Sequence, residues 1–67
     1  MEFKLTRWAE RKGTVVEYGN IVGPYLGQQF REEFATEADA IERERQAKAC
    51  EPITDDRMPV PLKRERL

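Results

Sequence analysis

The chain has 67 residues, 39% of them apolar and 37% charged, and its 12 basic and 13 acidic side chains leave a net charge of −1. That length fits one small domain with a thin core, and the balanced charge gives no long-range pull toward DNA or an anionic membrane. A single cysteine and the absence of histidine exclude an internal disulfide, a four-ligand zinc site and imidazole acid–base chemistry.

Residues 3–8, FKLTRW, alternate in part, with Phe3 and Leu5 on one strand face and Lys4, Thr6 and Trp8 on the other. The charged stretch AERKG follows as a turn, with Gly13 free to take a positive φ. Residues 14–19, opening on TVVEY, carry the strongest β-propensity in the chain. Strand, short glycine-containing loop and strand together predict a hairpin.

Gly19, Gly23 and Gly27 then recur at every fourth position in GNIVGPYLG. This is no phosphate-binding loop, because no Gly-Lys-Ser/Thr follows, and no dinucleotide fingerprint, because Gly-x-Gly is missing. No apolar segment surrounds it for membrane packing. The series reads as turns plus one close approach of strand backbone at Gly27.

Residues 26–34 are ambiguous. Leu26, Phe30 and Phe34 recur every four residues, which is helical spacing, yet they also share one face of a strand. Gly27 weakens a helix, and Thr36 opens the next element, so the strand is the expected form.

Thr36-Glu-Ala-Asp39 resembles a capping box, with acidic residues at the positive end of the helix dipole. It predicts a helix over 37–50 with Ala38, Ile41 and Ala49 along its apolar stripe, i,i+4 pairs at Asp39–Arg43 and Glu44–Lys48, and a stop at Pro52. Residues 52–67 hold three of the four prolines and read as an extended or flexible tail outside a domain of residues 1–51. Val60, Leu62 and Leu67 are the residues by which it would pack back on the sheet.

The expected fold is α+β: a small three-stranded antiparallel sheet (3–8, 14–19, 26–34) with one C-terminal helix on one face. Its core is Phe3, Leu5, Val16, Leu26, Phe30, Phe34, Ala38 and Ile41. The carboxylates Glu32, Glu33, Glu37, Asp39, Asp55 and Asp56 read as solvated charge, since paired-acid catalysis needs burial to separate two pKa values. Cys50 has no histidine to activate it and reads as a small residue at a helix end. No enzyme activity, metal or organic cofactor is expected. No apolar run exceeds two residues, which predicts no membrane span and a cytoplasmic location.

The aromatics and arginines point to a partner. Trp8, Tyr18 and Tyr25, with Arg7 and Arg31 around them, are the expected anchors of a protein partner on the sheet face away from the helix. The alternative is a sheet-based DNA-binding module in which Lys4, Arg7, Lys12 and Arg31 contact phosphates. Glu2, Glu10 and Glu17 dilute the basic character of that first hairpin.

The stretch QQFREEFATEADAI, in which a strand ending in Phe34-x-Thr36 precedes an acid-rich helix, resembles the three-stranded-sheet-plus-helix module at the amino end of phage and mobile-element integrases. The likeness covers residues 3–50. It implies a sheet that enters the DNA major groove, although here Glu32 and Glu33 follow Arg31 where that family is basic. In size and style the chain is also similar to small phage inhibitors of the anti-CRISPR type, which implies occlusion of a host complex.

Overall fold

The computed structural model describes residues 8–67. Phe3, Leu5, Lys4 and Arg7 lie outside the described residues. The elements are β1 (Ala9–Lys12), β2 (Val15–Gly19), β3 (Gln29–Glu33), α1 (Glu37–Lys48) and β4 (Lys63–Arg66). The strands form one antiparallel sheet in the order β1-β2-β3-β4. The fold is therefore α+β, with four strands where three were expected, and the helix is not the last element.

Two of the differences have clear causes, one local and one across the sheet. Lys12 pairs with Val15 across the two-residue turn Gly13-Thr14. Pairing therefore begins at once on either side of the turn, and the charged residues expected to form the loop become β1. The segment after the helix supplies β4 from Lys-Arg-Glu-Arg, which has no apolar residue to mark it as a strand. Phe30, Glu32 and the residues between them hold it by backbone pairing to Arg66 and Arg64. Both edge strands are almost wholly charged, which discourages edge-to-edge association.

Thr36 caps α1 as expected, its hydroxyl accepting from the Asp39 amide at 3.2 Å. At the other end the Cys50 amide donates to the Ala47 carbonyl and the Glu51 amide to that of Gln46. Cys50 takes φ 61°, the left-handed turn that closes a helix in this pattern.

The helix packs over β1 and β2, and the face it buries differs from the expected stripe. Ala40, Arg43, Gln46 and Ala47 point inward, while Ala38 and Ala49 are exposed and Ile41 is 47% exposed. The core is Val16, Tyr18, Phe30, Phe34, Ala40, Ala47 and Ile53. Leu26, at 65% exposure, is not part of it. The physical reason is a buried ion pair. Arg43 reaches Glu32 on β3, at 3.2 Å between Nε and Oε1, with both side chains fully buried. It therefore does not form the expected surface pair with Asp39. Glu44–Lys48 does form, at 3.2 Å.

Glu32 also accepts from Arg64 Nε of β4 at 2.8 Å. Arg64 in turn donates to Asp55 at 2.8 Å and lies over the rings of Phe30 and Tyr25. Arg43 donates to the carbonyls of Arg57 and Pro59, and the Gln46 amide donates to that of Met58. One carboxylate, two guanidiniums and one amide thus bind strand, helix and the segment 51–62 together. That segment lies against the fold, and residues 63–66 join the sheet.

Candidate functional site

The strand register sorts every side chain to one face of the sheet. Ala9, Tyr18, Phe30 and Arg66 form one row on the helix side, and Arg11, Val16, Glu32 and Arg64 form the next. The open face carries the alternate rows. Glu10, Glu17, Arg31 and Glu65 form one, and Lys12, Val15, Glu33 and Lys63 the other. Continued one step past the hairpin strands, the pattern places Trp8 beside Gly19, whose amide donates to the Trp8 carbonyl at 3.3 Å. Gly19 pairs with Gln29, and the Leu67 amide donates to the Gln29 carbonyl at 2.8 Å. Trp8, Gly19, Gln29 and Leu67 therefore cross the end of the open face. Their outer members are about 14 Å apart at the usual spacing of about 4.8 Å per strand.

Gly19 has a specific purpose in this row. A Cβ there would stand 3.0 Å from Trp8 Nε1, so the missing side chain lets the indole lie along the strand. The close approach falls at Gly19 and not at Gly27, where a Cβ would meet open space and the constraint is a φ of 86°. Trp8, Gly19, Asn20, Ile21, Gly27, Gln28 and Gln29 enclose a cleft of about 210 Å³. Two of the three glycines singled out in the sequence thus line one cleft.

The expected anchors separate. Trp8, 36% exposed, and Arg31 lie on the open face. Tyr18 is fully buried on the helix side, edge-on to Phe30 with ring centroids 6.1 Å apart. Burial, then the neighbouring Glu32 carboxylate, pushes its phenol well above the ordinary value. Tyr25 packs edge-on against the same Phe30 at 5.1 Å and donates to Asp55. Neither tyrosine reaches the open face, because odd and even positions of a strand point to opposite sides and Tyr25 belongs to the loop that folds over the inner side.

Arg31 is already engaged. It donates to Glu17 at 2.7 Å and to Glu65 at 3.4 Å, and these contacts hold its guanidinium above the usual range, the hydrogen bond to Glu17 first. Sequence reasoning did not find a second exposed strip on the segment leading into β4. There Met58, Val60 and Leu62 are exposed, while Pro59 and Pro61 between them are half-buried. The alternation was present in MPVPL, but nothing local marks which parity faces outward.

Among the described residues no group of three or more His, Cys, Asp or Glu is placed to hold a metal ion. Cys50 is exposed and unpaired, and no helix is long and apolar enough to cross a membrane.

Several carboxylates around the end of α1 are held below the ordinary range. Hydrogen bonds from Arg45 and then Gln46 bring Glu42 to about 2. Arg45 and then Arg57 lower Glu51, and Tyr25 and then Arg64 lower Asp55. A depressed carboxylate adds stability that is present above its unfolded pKa and lost as pH falls through the folded one. The melting temperature is expected to hold from pH 7 to about 5 and to fall between about 4.5 and 2, where unfolded carboxylates and Glu42 titrate. All three groups are solvent-facing, so about 1 M salt flattens the slope. A melting profile unchanged down to pH 2 would contradict the assignment.

Comparison with protein-family models, with curated proteins and with solved structures found no match for the chain. The reading of the site therefore rests on its own geometry.

Proposed function

We propose that this protein is a non-catalytic protein-binding module that engages its partner through the open face of the sheet and acts by covering what it binds. The observation that carries this reading is the position of Trp8. In a domain whose core is built partly from alanines and charged groups, the one tryptophan lies on the outer face, over Gly19. A rigid amphipathic ring beside a cleft is the kind of residue that dominates protein interfaces. Arg31, one of the four basic residues expected to contact phosphates, is held between Glu17 and Glu65, which favours a protein partner.

Trp8→Ala is expected to weaken binding of the partner by at least about 2 kcal/mol, roughly thirtyfold. The melting temperature should change little, since the indole stands outside the core. Affinity for a partner isolated from the native host, measured beside thermal unfolding, checks both expectations. Unchanged affinity in a folded variant would remove Trp8 as an anchor. Loss of binding in Val60→Asp, with Trp8→Ala still binding, would move the interface to the Met58–Leu62 strip.

A further inference from the structure

We infer that the occupant of the open face is an extended polypeptide segment that places an apolar side chain, a lysine or arginine, and an acidic side chain at alternate positions. The inference rests on the protein-binding reading and names the chemistry of the partner.

The rows of the open face supply the pattern. At one end, the cleft beside Trp8, lined also by Ile21, Gly27 and Gln29, takes an apolar side chain. In the next row Glu10 stands directly opposite Glu17, and like charges in such a pair destabilise a sheet. Glu17 shares Arg31 with Glu65, and Glu10 has no cation within ion-pairing distance among the described residues. A partner cation set beside Glu10 removes the repulsion. Trp8 is two residues from Glu10 on the same strand face, about 7 Å away, so the same cation reaches the indole. In the third row Lys12 stands on β1 beside Val15 and accepts an acidic side chain, while Lys63, on the far edge, is paired with Glu65 at 3.2 Å. Rows are two residues apart along a strand, so one extended segment running parallel to the strands meets all three at alternate residues.

The same rows argue against a second copy of this chain. Two open faces packed about a twofold axis along the strands would set the middle row, with three carboxylates to one arginine, against itself. An acidic segment would meet the same repulsion.

Trp8 is the only tryptophan, so its fluorescence reports this cleft alone. The probes are acetylated, amidated heptapeptides titrated into the full chain through the millimolar range: Ser-Leu-Ser-Arg-Ser-Glu-Ser and its relatives with Gln or Glu in place of Arg. The arginine peptide is expected to give a saturable change and to bind about tenfold more tightly than the glutamine peptide. The glutamate peptide is expected not to bind. Glu10→Gln should erase the preference for arginine while leaving the fold intact, since Glu10 is exposed. Equal binding of the three peptides would overturn the cationic occupant and leave the protein-binding reading in place. Preference for the glutamate peptide, or no response to any of them, would overturn it as well. A dimer in sedimentation equilibrium that Trp8→Ala dissolves would replace it with a second copy. The protein-binding reading itself fails by a different measurement, the Trp8→Ala affinity for the isolated partner.

Discussion

Arg43→Met is expected to destabilise the protein by about 3–5 kcal/mol, the usual cost of removing one member of a buried ion pair. Arg43 is fully buried, lies over the Phe34 ring at 5.4 Å, pairs with Glu32, and donates to the carbonyls of Arg57 and Pro59. Methionine keeps much of the volume but supplies no donor. Glu32 would retain Arg64 alone, and two carbonyls would lose their partner. A small domain holds roughly 5–15 kcal/mol in total, so this one change takes a large share of it. Urea unfolding of the variant and of Arg43→Lys checks the assignment. Lysine keeps the charge but not the planar fork, so its loss should be intermediate. The double variant Glu32→Gln/Arg43→Met should recover part of the loss, because it removes the uncompensated carboxylate. A loss below about 1 kcal/mol for Arg43→Met would show that the pair does not hold the helix to the sheet.

Phe30→Ala is expected to cost about 3–5 kcal/mol, while Leu26→Ala changes stability by no more than about 0.5 kcal/mol. The two residues occupy equivalent places in the four-residue pattern but not in the fold. Phe30 is buried between Tyr18 and Tyr25, with the Arg64 guanidinium 5.0 Å from its ring centroid. Its removal opens a void among three large groups that cannot close around it, and the void adds to the lost transfer energy. Leu26 stands on the loop before β3 and faces solvent, so its truncation leaves no cavity. Chemical unfolding of both variants separates the two sites. Equal losses would mean that Leu26 belongs to the core.

The elements specified by neighbouring residues were legible in the chain alone. The Thr36 hydroxyl finds the amide three residues on whatever lies around it, so the helix start could be read directly. A turn at Gly13 needs only its own backbone freedom. Val16, Phe30 and Phe34 follow strand alternation to the inside, and the choice of strand over helix for residues 29–33 rested on such local signals.

The inward face of the helix was not legible. A stripe of Ala38, Ile41 and Ala49 is the more apolar choice, but Arg43 gains a buried carboxylate eleven residues earlier in the chain. That pairing turns the helix so that Ala40 and Ala47 meet the sheet. A polar residue in the core is worth burying only when its partner is already there, and no periodicity counts the partner. The same holds for β4, whose four charged residues become a strand because Arg64 answers Glu32 across the sheet. For the candidate site, the sequence marked Trp8 as a residue to watch and Gly19 as a turn. Only strand pairing set one against the other and assembled Glu10, Glu17 and Arg31 beside them. Local chemistry determines which elements form. The face each element turns inward is decided by ion pairs and cross-strand contacts between residues far apart in the chain, because a charge is buried only where the fold supplies its counterpart.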